Sequence, residues 1–345
     1  MRAAVLTAKH SIETVERDEP ALGPTSVRVR VRVGGICGSD LHYFNHYRMG
    51  DFPVREPFVL GHEASGEVIE TGPEVVSIKP GDRVTVNPSH SCGACADCQN
   101  GRALLCANMR FLGSSRKFPH IQGMFAETYL TEESQCFRVP DNLSYDLAAF
   151  AEPLSVALHA CTHAGPLVGA DVLISGAGPI GSLTLLAAKL GGAASVTITD
   201  VLDAPLEKVQ EIGAGRTINV AGTDHILSDP THPRGAFDVA FDASGHPSAV
   251  LSAMKNLKPG GTFVQIGTFV DPMVPIPTDL IMTKELTLKS SFRFDKEFSW
   301  AVRYLSEGRI NVGPLLSHTF PMEDAMQAFQ VAGDRRLAMK VQLSF

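Results

Sequence analysis

Short apolar or alternating segments dominate the first part of the chain, and turns such as Pro80-Gly81 separate them. Alternation with a period of two places the apolar side chains of a strand on one face, and closely spaced strands of this kind are typical of β-barrels. The pattern predicts a β-rich, barrel-like domain over residues 1–154. The segments cover residues 3–6, 27–33, 66–70 and 83–86.

After residue 155 the pattern changes to alternating strands and helices. Apolar strand-like runs cover residues 172–175, 196–199, 237–241 and 262–266, and helical segments cover residues 179–190, 205–212 and 247–256. Strands that alternate with helices favour a parallel, doubly wound sheet, so we predict such a domain over residues 155–289.

The remaining segment, residues 290–345, contains a helix-like stretch at 298–305 and a strand-like run at 338–343. It is too short to form its own core. We therefore expect it to return to the first domain and complete it. The fold class is α/β with two domains, and 345 residues of which 44% are hydrophobic suffice for two cores.

Composition restricts the partners. The net charge is −7, and no block of like charge occurs, so the chain lacks the basic surface that nucleic acid or anionic lipid requires. The first residues lack the basic region and long apolar stretch of a signal peptide, and no run reaches about 20 apolar residues. We expect a soluble, cytoplasmic protein that binds neither nucleic acid nor membrane.

A glycine-rich turn follows the first strand of the predicted parallel sheet. Residues 174–181 read Ile-Ser-Gly-Ala-Gly-Pro-Ile-Gly, and a second strand ends about twenty residues later in Asp200. Such glycines allow a tight turn, close approach of a pyrophosphate and close packing of helix on strand, while the aspartate accepts hydrogen bonds from the ribose hydroxyls. The alternative is a glycine turn without a ligand. The predicted cofactor-binding residues are Gly176, Gly178, Pro179, Ile180, Gly181 and Asp200.

The cofactor of this turn is predicted to be NAD. Asp200 would repel the 2′-phosphate of NADP, and residues 201–203 offer no cation that could bind that phosphate.

Four of the seven cysteines lie within fifteen residues, in the pattern C-x2-C-x2-C-x7-C formed by Cys92, Cys95, Cys98 and Cys106. A closed shell of four thiolates suits a structural zinc ion. An iron–sulfur cluster fits less well because Ala107, and not proline, follows the fourth cysteine. A zinc ribbon that binds nucleic acid fits less well because the local charge is not basic.

A second set of potential ligands mixes residue types. A catalytic zinc needs three protein ligands and one open position, and Cys37 and His62 with a carboxylate from Glu63 or Glu152 meet that count. Each signal is weak alone. A single cysteine is often a small buried hydrophobe, a single histidine often belongs to a core, and Glu152 before Pro153 also favours a helix N-terminus.

Taken together, the Cys37-Gly-Ser-Asp run, Gly61-His62-Glu63, the four-cysteine segment and the glycine turn resemble the zinc-dependent medium-chain alcohol dehydrogenases. The resemblance covers nearly the whole chain in the family's order. It implies a GroES-like catalytic domain interrupted by a Rossmann domain, an NAD cofactor, one catalytic and one structural zinc ion, and a homo-oligomer that is a dimer or tetramer.

The Ala-Glu-Pro-Leu segment that contains Glu152 resembles the polyol dehydrogenase branch of that family. There Cys37, His62 and Glu63 match direct zinc ligands, and Glu152 matches a residue that reaches the metal directly or through water. Segments at 109–114, 118–120, 134–136, 244–247, 291–294 and 340–343 are similar to L-idonate 5-dehydrogenases, which interconvert L-idonate and 5-keto-D-gluconate. Met124 departs from the usual second glycine of the Gly-Gly-Phe turn, which affects local shape.

The resemblance also implies roles in catalysis. Zinc would polarise the substrate oxygen while hydride passes to the nicotinamide. Ser39 and His42 would relay the hydroxyl proton to solvent, and Asp40 would orient the zinc histidine. The alternative for His42 is a surface histidine in a turn.

Other side chains are candidates for contact with the substrate. Tyr43 borders the substrate in one interpretation and is a core aromatic in another. A sugar acid carries a carboxylate that suits a guanidinium, which makes Arg293 and Arg110 candidates, with His120 behind them. Arg293 in the alternative contacts the NAD phosphate or only packs.

Two further functions stay open. One is a sorbitol, xylitol or L-threonine dehydrogenase on the same scaffold. The other is a non-catalytic zinc- or nucleotide-binding protein, against which the presence of all the ligand and relay residues counts. The small-molecule partner is therefore predicted to be a sugar acid or a polyol, and Cys136, Cys161, His159 and His163 are predicted to be structural.

Overall fold

The computed structural model describes residues 1–222, 231–269 and 273–345. The strands are β1 (Arg2–Ala8), β2 (Ser11–Glu16), β3 (Ser26–Gly35), β4 (Arg48–Met49), β5 (Phe52–Pro53), β6 (Phe58–Val59), β7 (Glu63–Thr71), β8 (Arg83–Val86), β9 (Ser89–His90), β10 (Arg110–Phe111), β11 (Thr128–Glu132), β12 (Cys136–Arg138), β13 (Asp171–Ser175), β14 (Ser195–Asp200), β15 (Arg216–Asn219), β16 (Phe237–Asp242), β17 (Leu257–Gln265), β18 (Thr287–Ser290), β19 (Leu316–Pro321) and β20 (Lys340–Ser344).

The α-helices are α1 (Gly38–His46), α2 (Ala96–Gln99), α3 (Tyr145–Ala148), α4 (Ala151–Ala164), α5 (Pro179–Leu190), α6 (Asp203–Glu211), α7 (Pro247–Asn256), α8 (Thr278–Lys284), α9 (Glu297–Ser306) and α10 (Ala325–Gly333). Short 3₁₀ helices cover Ala103–Leu105, Glu133–Gln135, Gly313–Leu315 and Met322–Asp324. Within the described ranges, no helix combines the length and the apolar character needed to span a membrane.

The chain divides into two units. Unit 1 comprises Met1–Glu152, Phe298–Asp334 and Lys340–Phe345, and unit 2 comprises Pro153–Glu297 and Arg335–Met339. The chain passes between the units inside α4, after Glu152, inside α9, after Glu297, and again on either side of Arg335–Met339.

Unit 1 is built around a seven-stranded sheet. Its order is β12-β8-β7-β3-β20-β19, and β11 also pairs with β3. The alternating valines of β3 are buried and pack with β7 and β8 side chains in one apolar cluster. Met124, the departure from the family's glycine, is fully buried in that cluster, so its side chain adds to the core. The final strand, β20, pairs antiparallel with β3 and parallel with β19.

Unit 2 contains six parallel strands in the order β15-β14-β13-β16-β17-β18. This is the doubly wound order in which the chain starts in the middle, builds outward on one side and then crosses to the other. Apolar clusters lie on the two faces of the sheet, under the helices. The predicted doubly wound sheet is confirmed, and dinucleotides bind such sheets at the carboxyl ends of the strands, where the order reverses.

A buried polar contact joins α4 to the start of α9 within unit 2. His159 Nδ1 lies 3.2 Å from Glu297 Oε2, and Thr162 Oγ1 donates to Glu297 Oε1 at 3.4 Å. His163 Nε2 lies 3.1 Å from His159 Nε2. Burial opposes ionisation of Glu297, but hydrogen bonds from His159 and the Asp295 backbone outweigh it and lower its pKa to about 2.

Candidate active site

Three of the predicted metal ligands converge in unit 1. The Cys37 thiol, the His62 ring and the Glu63 carboxylate each offer a ligand atom, and these atoms all lie within 4.8 Å of one another. Cys37 is the residue before α1, whereas His62 and Glu63 stand at the start of β7. A side chain at Gly35, opposite Glu63 on β3, would overlap the Glu63 carboxylate and displace this ligand from its position.

Asp40 fixes the two segments that carry these ligands. Its carboxylate is fully buried and accepts hydrogen bonds from the Cys37 amide at 2.9 Å and the Gly61 amide at 3.2 Å. Asp40 Oδ1 also lies 3.7 Å from His62 Nδ1. One carboxylate thus ties the α1 segment to the β7 segment beside the histidine.

A lysine that the sequence analysis missed completes this cluster. Lys340, at the start of β20, is 3% exposed; it pairs with Glu63 and donates from Nζ to the Ile36 carbonyl at 3.0 Å. Burial disfavours the ammonium, but Glu63 and Cys37 raise the pKa of Lys340 above its ordinary value, so the cation persists. The available sequence signal was a lysine inside an apolar run, a residue type rarely buried unless it is paired.

Glu152, in the first turn of α4, belongs to the same electrostatic group and is 4% exposed. Burial raises the pKa of Glu152 to about 8; His62 opposes the rise, and Glu63 and Cys37 add to it. Burial and then Glu63 likewise raise the pKa of the Cys37 thiol to about 12. In the described part of the chain, Glu63 Oε1 is buried without a hydrogen-bond partner.

These observations test whether the residues fit a zinc ion. A thiol, an imidazole and carboxylates are the ligand types of catalytic zinc sites, and burial opposes deprotonation of Cys37 and Glu152 here, which a bound cation would offset. Glu63 Oε1, the buried carboxylate oxygen without a hydrogen-bond partner among the described residues, is available to bind such an ion. The donor set fits zinc.

The two predicted relay residues lie on α1, beside the cluster. Ser39 Oγ is 3.5 Å from His62 Nε2. His42 is half-buried, and its ring centroid lies 5.3 Å from that of His46. Burial, and then the neighbouring His46, lower the pKa of His42, so its imidazole is neutral near pH 7.

The candidates for substrate contact are placed differently from one another. Tyr43 is buried, packs edge-on against Phe58, and its hydroxyl accepts a hydrogen bond from the Ser115 amide at 3.1 Å. His120 is buried as well; Nε2 accepts from the Arg55 amide at 2.8 Å and Nδ1 lies 2.8 Å from the Lys117 carbonyl. Backbone groups therefore occupy both His120 nitrogens.

Arg110 and His120 line a surface cavity of about 400 Å³. Its described lining includes none of Cys37, His62, Glu63 and Glu152. On β10, Phe111 packs against the His62 ring at 5.3 Å between centroids. Successive side chains of a strand point to opposite faces, so Arg110 points away from His62. Arg293 lies in unit 2, with a left-handed backbone (φ 54°) and its guanidinium 4.8 Å from the Phe292 ring centre.

The four remaining metal candidates form a separate cluster in unit 1. All are free thiols, and the sulfur–sulfur distances are 3.5 Å for Cys95–Cys98 and Cys92–Cys106 and 3.9 Å for Cys95–Cys106. A tetrahedral zinc with bonds of about 2.3 Å places its sulfur ligands about 3.8 Å apart. Hydrogen bonds from backbone amides, first that of Ala94, lower the pKa of Cys92 to about 6. The geometry fits a closed tetrahedral site.

The glycine turn of unit 2 has the form expected for a pyrophosphate site. Gly176 has φ 101°, a left-handed conformation, and a Cβ on Gly181 would overlap the Gly176 carbonyl oxygen. At Gly178, before Pro179 and Ile180 of α5, a Cβ would meet no atom within 4 Å, so the space beside this backbone is open. The open side faces the N-terminus of a twelve-residue helix, where amides and the helix dipole favour anions.

Asp200 ends β14 and lies beside this turn. Its Oδ2 accepts from the Ala177 amide at 2.8 Å, and its Oδ1 accepts from the amides of Val201 at 2.7 Å and Leu202 at 3.1 Å. Arg335, also in unit 2, pairs with Oδ2. Arg335 could not be predicted from the neighbourhood of Asp200 in the sequence, because the two residues are 135 positions apart.

Comparisons with known proteins agree with this arrangement. The family described as alcohol dehydrogenase GroES-like domain matches residues 23–141, and the family described as zinc-binding dehydrogenase matches residues 179–307. The L-idonate 5-dehydrogenase (NAD(P)(+)) of Escherichia coli K12 is 41% identical over 92% of this chain and 91% of that protein. The sorbitol dehydrogenase of Gallus gallus is 34% identical over 95% of this chain and 92% of that protein.

Solved structures give the same result. The crystal structure of L-idonate 5-dehydrogenase from Escherichia coli K-12 matches with a TM-score of 0.91 and 38% identity, covering 100% of this chain and 98% of that one. A short chain alcohol dehydrogenase from Escherichia coli CFT073, complexed with NADH, matches with a TM-score of 0.90 and 29% identity over 100% and 99%. The chain belongs to the zinc-dependent medium-chain alcohol dehydrogenases, among the polyol and idonate dehydrogenases, and is an NAD- and zinc-dependent enzyme that acts on a CH–OH group.

Proposed function

We propose that the protein interconverts L-idonate and 5-keto-D-gluconate by hydride transfer with NAD. The convergence of the Cys37, His62 and Glu63 ligand atoms within 4.8 Å carries the dehydrogenase part of this proposal. The substrate rests on the 41% identity to an L-idonate 5-dehydrogenase over nearly the whole of both chains.

The proposal includes two zinc ions with different tasks. Cys37, His62 and Glu63, with Glu152 able to replace or support Glu63, would hold the catalytic ion and leave a position for the substrate. An ion held there supplies a Lewis acid that polarises the substrate oxygen. Cys92, Cys95, Cys98 and Cys106 would hold a closed, structural ion that stabilises their segment.

The proton of the substrate hydroxyl would leave through α1. Ser39 Oγ, 3.5 Å from His62 Nε2, stands beside the ligand cluster, and His42 lies one helical turn further along. The lowered pKa of His42 leaves one nitrogen of its ring unprotonated at neutral pH, as a proton acceptor requires. Asp40 orients the segment that carries Ser39 through its bond to the Cys37 amide.

A sugar acid differs from a polyol by a carboxylate, which a guanidinium can bind through two parallel hydrogen bonds. We propose Arg293 for this role. Its left-handed backbone conformation is uncommon for a residue with a side chain, and such conformations cluster at ligand sites. Arg110 is the weaker candidate because it points away from His62.

The test is the initial rate of NADH formation with L-idonate, D-gluconate, D-sorbitol, xylitol and L-threonine, for the unaltered protein and for Arg293→Ala. We expect L-idonate to have the highest kcat/KM. Arg293→Ala should lower kcat/KM for L-idonate by about 10–100-fold, because a charged hydrogen-bonded pair is lost, and change that for sorbitol less than about threefold. Arg110→Ala is the matched control, expected to leave all substrates within about twofold.

Two results would contradict parts of the proposal. If sorbitol or xylitol gives the highest kcat/KM and Arg293→Ala affects all substrates alike, the substrate and the role of Arg293 are wrong, while the zinc dehydrogenase stands. If complete chelation leaves activity unchanged, the zinc-dependent chemistry is wrong. We further propose a homodimer or homotetramer, as the family resemblance implies, which light scattering on the purified protein measures.

A further inference from the structure

Hydrogen-bond donors occupy every acceptor position of Asp200, the carboxylate in unit 2 that is proposed to bind the ribose of the cofactor. A carboxylate offers about four lone-pair positions. Asp200 uses three for the amides of Ala177, Val201 and Leu202, and Arg335 takes another on Oδ2. Asp200 is 5% exposed, so water cannot reach freely around it.

The four donors differ in how readily they move. The three amides belong to the glycine turn and to the end of β14, where displacement would disrupt the sheet. The guanidinium of Arg335, by contrast, stands at the end of a long side chain that is 45% exposed, so it can move away without disturbing the backbone. The guanidinium keeps access to water after its release, and a new donor can fill the position that it leaves on the buried carboxylate, so an exchange of donors avoids the cost of an unpaired charge. A ribose hydroxyl that donates to Asp200 would therefore take the place of Arg335.

The released guanidinium remains next to the ribose position. NAD presents two neutral hydroxyls there, whereas NADP presents a phosphate with a charge of about −1.5 to −2. Asp200 repels that phosphate, and so does Asp203, whose carboxylate accepts from Asn219 Nδ2 at 2.6 Å. A guanidinium binds phosphate oxygens in a bidentate manner and offsets this repulsion.

We propose that Arg335 sets the balance between NAD and NADP: it covers Asp200 in the cofactor-free protein, yields to the ribose hydroxyls of NAD, and pairs with the 2′-phosphate of NADP. The inference rests on the proposed cofactor site and deepens it. If Asp200 alone selected the cofactor, NADP would be excluded; with Arg335 beside it, the protein should prefer NAD only weakly over NADP. The inference also assigns cofactor choice to a residue 135 positions away from the carboxylate.

The experiment measures dissociation constants by calorimetry for NAD and NADP, and for the fragments ADP and adenosine 2′,5′-bisphosphate, without substrate. Arg335→Ala should weaken NADP and the bisphosphate at least about tenfold and change NAD and ADP less than about threefold. Arg335→Lys keeps a charge but loses the bidentate geometry, so it should fall between the two. Arg336→Ala, which removes the same charge from the neighbouring exposed residue, is the matched control and should leave the NAD/NADP ratio within about twofold.

A second readout separates a local contact from general loss of structure. Affinity of the unaltered protein for NADP should fall more steeply with salt than that of Arg335→Ala, because an exposed charge pair is screened. An unchanged NAD/NADP ratio in Arg335→Ala, or equal weakening of both cofactors, would overturn the inference while the cofactor site stands. Failure of the unaltered protein to bind either dinucleotide would overturn the cofactor site and the inference together.

Discussion

Replacing Lys340 by methionine tests the charge balance of the ligand cluster. Methionine keeps the length of the side chain but removes the ammonium, so the 1% exposed Glu63 carboxylate loses its counter-charge. Breaking a buried ion pair by removing one partner costs about 3–5 kcal/mol, including the lost bond to the Ile36 carbonyl. At about 2–4 °C per kcal/mol for a domain of this size, Tm should fall by about 6–20 °C in the metal-free protein.

The assay is urea unfolding followed through the single tryptophan, Trp300, which lies on α9 in unit 1 and therefore reports on the unit that contains the cluster. Adding Glu63→Gln to Lys340→Met removes the uncompensated charge and should recover about 2 kcal/mol or more. Zinc should also reduce the penalty of Lys340→Met, because the cation takes over the role of the ammonium.

Lys79→Met, an exposed change in the same unit, is the control and should cost less than about 0.5 kcal/mol. The reasoning is refuted if Lys340→Met costs less than about 1 kcal/mol without metal, or if the double variant is less stable than the single one.

Three further predictions concern the other sites. Gly178→Ala should fold normally, since its Cβ meets open space, but it should bind NAD at least about tenfold more weakly. Gly181→Ala should instead destabilise unit 2, since its Cβ overlaps the Gly176 carbonyl oxygen. Calorimetry measures NAD binding and thermal unfolding measures stability, and equal behaviour of the two variants would contradict the turn geometry. Cys95→Ser should lower the zinc content from about two to about one ion per chain by metal analysis and lower Tm, and an unchanged content would contradict a closed four-thiolate site. Because the pKa of Glu297 is lowered to about 2 from 4.5, its pairing stabilises unit 2 above pH 4.5 and this contribution is lost as pH falls toward 2. Glu297→Gln should therefore lower stability at pH 7 by about 1–2 kcal/mol and flatten the acid-unfolding profile, and an unaltered profile would exclude the His159 contact as its cause.

The sequence predicted the helices whose starts are marked by a residue within the helix itself. The bounds of α5 and α7 match the predicted segments 179–190 and 247–256, because a proline at the first helical position marks each start. By contrast, β17 begins at Leu257, five residues before the predicted start, because Leu257 already pairs with Phe237 of β16; the following Lys-Pro-Gly-Gly sequence forms an irregularity in the ladder, and pairing resumes at Thr262. The turn-like composition there marks a bulge within the strand and not the loop before it.

The parts of the site that sequence reasoning missed depend on partners far apart along the chain. Lys340 meets Glu63, and Arg335 meets Asp200, only after strands distant in sequence have paired. No spacing rule connects such residues, whereas the four cysteines and the glycine turn are complete within short segments. For Arg110 the missing information was the side of β10 on which it stands, which the neighbouring contact between Phe111 and His62 reveals.

The position of Lys340 on the last strand also has a consequence for biosynthesis. Glu63 is synthesised long before β20, which carries its counter-charge in Lys340 and pairs with β3. Because synthesis proceeds from the N-terminus, the nascent first unit has an unpaired edge on β3 and a carboxylate without its ammonium partner until β20 has been made. A variant truncated before Lys340 would retain both the open edge and the unbalanced carboxylate.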